Sequence, residues 1–210
     1  MLLSGNRDMP KINTALNVAA KEGLLAKVGS NYKFPHDQIE QAAYSLIPAE
    51  QRPALHLSIG RTLWGYQTAD QLGNRLELVV DQLSRGSELI TDQNERIRFA
   101  ELCLVAGRKA MAGSAFLLAS TYLLQGTVLL NDDSWAHHYK LSLELYSSCA
   151  EAQFATGDHA GISVAVNPIM NHGRNLHDKM RAYYTLLRSL GAKGQQSDAV
   201  TCGLGLLSAL

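Results

Sequence analysis

His36 and Asp37 are the adjacent residues in this chain whose types and position could do chemistry. They follow Phe34 and Pro35 and stand just before an apolar pattern of helical spacing, which predicts a helix N-terminus at this point. An imidazole N–H at such a place can donate to a phosphate oxygen, and the helix dipole favours the bound anion. The pair is therefore a candidate contact for a phosphate group supplied from outside these residues.

A structural role also explains part of this pair. Asp37 stands where an N-cap is expected, and Glu40 follows three residues later, which is the spacing of a capping box. This capping interpretation is preferred over the phosphate contact, because the capping box alone accounts for Asp37. Both interpretations place the residues at the start of the same helix.

Other signatures of catalysis are absent from the sequence. It contains no GxxxxGK[ST], HExxH, GxSxG or GxGxxG motif and no kinase HRD or DFG sequence. The three cysteines are far apart and are predicted to be small core residues. A solvated helix start is preferred over a metal site at His137 and His138, and Trp135, Tyr139 and Tyr146 are predicted to lie in the core or a groove. The sequence thus predicts no enzyme, metal site or cofactor within these residues.

Composition favours a compact, non-membrane protein that does not bind nucleic acid. The 210 residues include 19 basic and 19 acidic side chains, so no net charge attracts nucleic acid or an anionic membrane. Widely spaced cysteines, odd in number, fit a reducing cytoplasmic setting. Residues 110–131 carry no charge, but they contain glycine, serine, threonine and glutamine. They are expected to form a buried helix and not a membrane span.

The first part of the chain is predicted to be a partial winged helix over residues 1–47. A helix beginning near Asp8 and ending at Gly23 precedes a β-hairpin of residues 24–28 and 32–34, with a three-residue loop between the strands. A helix followed by a hairpin closes a winged-helix domain, and its earlier helices are missing. The chain is therefore expected to be a fragment of a longer protein, with apolar surface left uncovered near Leu16, Leu24 and Leu25.

The rest of the chain is predicted to be helical throughout. Residues 48–90 form connecting helices, with Pro53 beginning or kinking one of them and a polar connector at residues 67–74. Residues 91–210 form helical hairpins: Asp92 caps the first helix, residues 135–156 make one long helix, and Pro168 kinks or ends a later one. The intervals between Ala115, Ala160 and Ala199 are 45 and 39 residues. This pattern resembles tetratricopeptide repeats, although it exceeds their ~34-residue period, and predicts a tetratricopeptide-like α-solenoid.

The segment FPHDQIEQAAYSLIPAEQRPALHLSIGRTL carries a more specific resemblance. It is similar to the segment that follows the STAND-type, AAA-related ATPase region in multidomain signalling proteins. These proteins join a serine/threonine-kinase-like domain to this ATPase and a helical repeat region, and often to a GAF domain and a sensor histidine kinase. The matching positions are Phe34, His36, Asp37, Ile39, Gln41, Ala42, Ala43, Tyr44, Ser45, Leu46, Ile47, Pro48, Leu55, His56, Ile59 and Gly60. Later segments in residues 95–145 resemble the repeat region of the same family, whereas Pro53 departs from its pattern.

The resemblance implies an origin for the chain and lends it no activity of its own. It implies that His36 and Asp37 face a nucleotide and hold a closed, ADP-bound state of the parent protein. ATP or ADP and magnesium would belong to the upstream ATPase domain of the same polypeptide, which would be the partner of this chain.

Two functions remain open on the sequence. One is a regulatory segment that couples an ATPase switch to a downstream output, and the other is a freestanding solenoid adaptor that binds a protein or peptide. A DNA-binding winged helix is disfavoured, because the net charge is zero.

Overall fold

A computed structural model describes residues 9–65 and 69–207 of the chain. The fold is mainly α-helical, with one small antiparallel sheet in the described ranges. The strands are β1 (Ala26–Val28) and β2 (Asn31–Lys33). The helices are α1 (Met9–Lys21), α2 (Asp37–Ser45), α3 (Arg52–Gly65), α4 (Ala69–Ser84), α5 (Gln93–Ala112), α6 (Phe116–Leu129), α7 (Ser134–His137), α8 (Tyr139–Thr156), α9 (His159–His172), α10 (Leu176–Ala192) and α11 (Gln196–Leu207).

The predicted helix and hairpin are present at the start of the described chain. Val28 pairs with Asn31, so the loop contains only Gly29 and Ser30 and the predicted three-residue loop is wrong. A two-residue connection suits the twist of paired strands, and it draws Asn31 into the second strand. The apolar surface expected near this point is uncovered, since Leu24 is exposed and Leu16 and Leu25 are only half-buried.

The helices that follow differ from the prediction at the polar connector. Pro53 is the second residue of α3, where its missing N–H costs no helical hydrogen bond, so it lies in the first turn. The chain is helical from Ala69 onward, which makes the predicted connector wrong over residues 69–74, while residues 67 and 68 lie outside the described ranges. A helix anchored on one side by buried Leu76 and Val79 tolerates a polar first turn.

A continuous core runs from α3 to α10, and consecutive helices pack on one another from α5 to α11, with the short α7 lying against α8. In addition, α8 packs on both α5 and α10. These three helices therefore lie side by side and present one common surface, which we call the α5–α8–α10 face. The largest fully buried side chains include Phe99, Leu83, Ile90, Leu123, Leu129, Leu145, Ile162 and Ile169.

The uncharged stretch of residues 110–131 is divided between two helices. The helix α5 ends at Ala112, Ser114 adopts a left-handed conformation with φ of 59°, and α6 begins at Phe116. One side of α6 is buried as expected, whereas Leu117 and Val128 on another side are 76% and 64% exposed. Within the described ranges, no helix combines the length and apolar character needed to cross a bilayer.

One prediction about the later helices needs correction. Residues 135–156 do not form one helix, because His138 leaves the helical conformation with φ of −127° and ψ of 42° between α7 and α8. This break lets Trp135 stack on Tyr146, with ring centroids 5.5 Å apart. Of the two alternatives predicted for Pro168, a kink or a helix end, the structure excludes the helix end, since α9 continues through Pro168 to His172. The buried residues Ala165, Val166 and Ile169 hold α9 in place around the proline.

Candidate functional site

The predicted nucleotide contact lies at the exposed start of α2. His36 is the N-cap residue and is extended, with φ of −140° and ψ of 139°, and Asp37 is the first helical residue. Both side chains are exposed. Both side chains are therefore available to a group outside the described chain. Their position at a helix start agrees with the sequence prediction.

The capping-box interpretation of Asp37 is wrong. The helix begins one residue earlier than that interpretation requires, so the N-cap is His36, and no side chain caps the helix. Asp37 and Glu40 instead lie within the first turn, where their charges interact favourably with the helix dipole. By contrast, Asp92 caps α5 as predicted, since its carboxylate accepts the Glu95 N–H at 2.7 Å.

Other residues of the same segment hold three helices together. The Nδ1 of buried His56 lies 2.8 Å from Gln82 Oε1, and its Nε2 lies 2.9 Å from the Tyr44 hydroxyl. Since an amide oxygen only accepts, Nδ1 carries the proton and Nε2 accepts from Tyr44. This chain of hydrogen bonds joins α2, α3 and α4. Sequence reasoning missed it, although a histidine between the apolar residues Leu55 and Leu57 of a helix is the signal of a buried imidazole.

Gly60, in the same segment, also has a packing role. A Cβ built at this position would lie 2.7 Å from Leu83 Cδ2, which is closer than carbon atoms can approach. The glycine therefore lets α3 and α4 pack closely. This contact and the Tyr44–His56–Gln82 hydrogen bonds give the middle of the segment a role in helix packing. His36, by contrast, is exposed.

An elbow between α2 and α3 carries an open apolar groove of about 530 Å³. Leu46, at the end of α2, is 83% exposed beside it. The groove is mainly aliphatic and holds no pair of groups suited to acid–base or nucleophilic chemistry; its lining is Leu46, Ile47, Pro48, Glu50, Gln51, Ala54, Leu55 and Ser58.

The cysteines and the paired histidines offer no reactive centre in the described ranges. Cys103 and Cys149 are buried as predicted, and burial raises the pKa of the Cys149 thiol to about 12, so it stays protonated at neutral pH. His137 and His138 are exposed at the break between α7 and α8. Across residues 9–65 and 69–207, no group of histidine, cysteine and carboxylate side chains is arranged to hold a metal ion.

An aromatic cluster fixes the geometry of the later helices. Trp135 is buried and stacks on His172 as well as Tyr146, with a centroid distance of 5.1 Å to His172. Nearby, the Tyr139 hydroxyl donates to Asp178 Oδ2 at 2.5 Å and accepts the Arg174 N–H at 2.9 Å. Desolvation and the hydrogen bond to the Asp178 carboxylate raise the pKa of Tyr139. The aromatic residues therefore belong to the packing, as predicted.

The α5–α8–α10 face is crossed by ion pairs between its helices. Arg181 of α10 binds both carboxylate oxygens of Glu151 at 2.9 Å and also Glu144 at 2.9 Å. Glu144 is in turn bound by Arg108 of α5. The hydrogen bond to Glu151 is the main cause that raises the pKa of Arg181. These pairs tie the three helices together along one surface.

Two open grooves lie between α8 and α10 on either side of Arg181. The first, of about 290 Å³, is lined by Tyr139, Lys140, Leu143, Glu144, Ser147, His177, Asp178 and Arg181. The second, of about 450 Å³, also reaches the end of α5 and the start of α6; its lining is Met111, Phe116, Glu151, Phe154, Ala155, Tyr184, Thr185 and Arg188. Shallow grooves that mix aromatic, aliphatic and charged side chains suit the recognition of a polypeptide.

Comparison with known proteins relates this chain to a signalling protein. No protein-family model matches the chain, and no solved structure matches it. The chain is 28% identical over 152 residues to the hybrid signal transduction histidine kinase G of Dictyostelium discoideum, an alignment that covers 60% of this chain. It spans only 4% of the length of that protein. The similarity supports a signalling-protein context for the chain.

Proposed function

We propose that this chain is a non-catalytic regulatory and protein-interaction segment of a multidomain signal-transduction ATPase or kinase. The observation that carries the proposal is the similarity to a signal transduction histidine kinase, which covers 60% of the chain. The segment couples a nucleotide switch to a downstream output. It acts in the cytoplasm and does not bind nucleic acid.

The helical packing supports a tetratricopeptide-like solenoid as the interaction part. Consecutive helices pack as pairs, and α5, α8 and α10 lie side by side, as the first helices of successive hairpins do in a solenoid. The ion pairs of Arg108 and Arg181 with Glu144 keep these first helices in a fixed arrangement. The resulting α5–α8–α10 face, with its two grooves, is the surface on which a partner protein docks.

His36 and Asp37 are the nucleotide-sensing residues of the proposal. Their support is that both are exposed at the start of α2, and that no capping hydrogen bond occupies Asp37. The phosphate comes from the upstream ATPase domain of the parent polypeptide, where ATP or ADP and magnesium bind. The hydrogen bonds of His56 to Tyr44 and Gln82 connect α2 to the helices that follow, and thus connect the sensing end to the solenoid.

A nucleotide-release measurement tests this coupling. In the parent protein, with its ATPase domain joined to this chain, His36→Ala is expected to speed the release of a fluorescent ADP analogue, because the closed state loses a phosphate contact. His137→Ala, which removes another exposed histidine far along the chain, is the control and leaves the release rate unchanged. Equal release rates for the parent protein and His36→Ala would refute the sensing role.

The second candidate function is a freestanding solenoid adaptor. The two grooves between α8 and α10 favour this function, because residues of this chain line them and no bound nucleotide is needed to form them. The two functions differ in the gene: a phosphate-binding loop upstream in the same reading frame supports the regulatory segment. A stop codon and a ribosome-binding signal immediately upstream support the adaptor.

A further inference from the structure

One arginine on the α5–α8–α10 face has no carboxylate partner within the described ranges. The Arg188 guanidinium lies over the Phe154 ring, 4.4 Å from its centroid, and 5.5 Å from that of Tyr184. Glu151 lines the same groove, but both of its oxygens accept hydrogen bonds from Arg181. A guanidinium held over an aromatic ring keeps its N–H groups, which lie in its own plane, available to a ligand. Arg188 is thus an oriented and unneutralised positive charge.

The groove beside Arg188 also offers apolar surface to a ligand. Tyr184 is 62% exposed and Phe116 is 37% exposed, and Met111 completes this side of the groove. A volume of about 450 Å³ leaves room for a bulky side chain next to the guanidinium. Exposed aromatic side chains next to an arginine are the residue types that are enriched at binding hot spots. We call this site the Arg188 groove.

We propose that the Arg188 groove binds a polypeptide segment in which a glutamate or aspartate side chain lies next to a bulky apolar residue. The guanidinium N–H groups of Arg188 donate to the carboxylate, and the apolar side chain packs on Phe116 and Tyr184. The carboxylate belongs to a side chain and not to a chain terminus, because the groove is open and the neighbouring groove lies farther along α8 and α10, which lets the segment continue. This inference rests on the proposed protein-interaction function and names the chemistry of its partner.

Titration with defined peptides, followed by the Arg188 Nε–H signal in NMR spectra of the 210-residue chain, tests the site. The probe is a peptide acetylated and amidated at its ends, with Leu-Glu-Phe at its centre between Gly-Ser spacers. We expect it to shift the Arg188 signal and to bind about tenfold more tightly than the same peptide with Leu-Gln-Phe, because a hydrogen bond to a charged group is lost in the latter. A peptide that ends in a free carboxylate after Leu-Phe is expected to bind no better than the Leu-Gln-Phe peptide.

Variants localise the effect. We expect Arg188→Gln to weaken the Leu-Glu-Phe peptide about tenfold, as judged from the backbone amide shifts of α8 and α10, and to leave the Leu-Gln-Phe peptide unchanged. Arg98→Gln is the matched control: Arg98 is also exposed and also lies over an aromatic ring, with its guanidinium 4.6 Å from the Trp64 centroid, but it is outside the groove. Arg98→Gln leaves both affinities unchanged.

Three results would overturn the inference: equal affinities for the glutamate and glutamine peptides, no detectable binding of either peptide, or unchanged binding to Arg188→Gln. None of these results refutes the proposed nucleotide-sensing role, since ADP release from the His36→Ala parent protein is measured without a peptide. Unchanged ADP release from the His36→Ala parent protein, together with Arg188-dependent peptide binding, would instead favour the freestanding adaptor.

Discussion

Gly107 allows α5 and α6 to approach closely, because its side chain is a single hydrogen atom. A Cβ at this position would lie 2.4 Å from Leu123 Cγ and 2.7 Å from Leu123 Cδ2. Leu123 is fully buried, so it cannot move aside into solvent. The close contact of these two helices therefore depends on glycine at position 107 and not only on the apolar residues around it.

Replacing Gly107 should show this dependence. We expect Gly107→Ala to lower the free energy of unfolding by about 1–2 kcal/mol, because overpacking against Leu123 costs more than the ~1 kcal/mol that alanine gains in helix propensity. Gly191→Ala is the control, since a Cβ there meets no atom within 4 Å, and we expect it to raise the stability by about 0.5 kcal/mol. Urea unfolding followed by circular dichroism measures both. A stability gain in Gly107→Ala would contradict the close approach.

At the scale of elements, the starts of α2 and α5 use similar residues differently. Asp92 accepts the Glu95 N–H and caps α5, while Asp37 lies inside the first turn of α2 and caps nothing. Both positions show an acidic residue followed three residues later by glutamate. Both local sequences share this spacing, so the difference in capping comes from the residue at which each helix begins.

The two aspartates are thus expected to differ in their effect on stability. Asp92→Ala should lower the free energy of unfolding by about 1 kcal/mol, because an orphan N–H of α5 loses its acceptor. Asp37→Ala should cost at most about 0.5 kcal/mol, since only the interaction of its charge with the helix dipole is lost. Urea unfolding of both variants under the same conditions gives the comparison. Equal losses would mean that Asp37 caps α2 after all.

For the whole molecule, burial is distributed unevenly along the chain. Among the described residues with defined exposure, none before His56 is buried, whereas α5, α6 and α8 lie in the continuous core. The helix α2 contacts α3 through the Tyr44–His56 hydrogen bond. The Arg52 guanidinium of α3 also stacks on the Tyr44 ring, 4.7 Å from the ring centroid. Few buried contacts mean a low free energy of local opening.

Hydrogen exchange is expected to reveal this division. The amides of α1, β1, β2 and α2 should exchange through local opening, at a free energy well below that of global unfolding, while those of α5, α6 and α8 should exchange only near the global value. Mass spectrometry of peptides from the exchanged protein measures both sets in one experiment. Equal protection of the two sets would show that the first part of the chain is held as firmly as the core.

Sequence patterns were sufficient to predict the mainly helical fold, the order of helix and hairpin at its start, and several of the helix ends. These features depend on local chemistry: apolar residues at helical spacing, the cap at Asp92 and the break after Ala112. The sequence also placed His36 and Asp37 at a helix start. Local interactions of this kind act between residues close in the chain and can be recognised in any short window of it.

The contacts of the polar residues, by contrast, depend on the tertiary structure. The hydrogen bonds of His56 to Gln82, the ion pairs of Arg181 with Glu151, and the stacking of Arg188 on Phe154 join residues that are far apart in sequence. Such contacts depend on how the helices are packed. A one-residue shift at the start of α2, or the break at His138, changes which side chains meet. The proposed interaction surface is therefore a property of helix packing, because its charges and aromatic rings come together only when α5, α8 and α10 lie side by side.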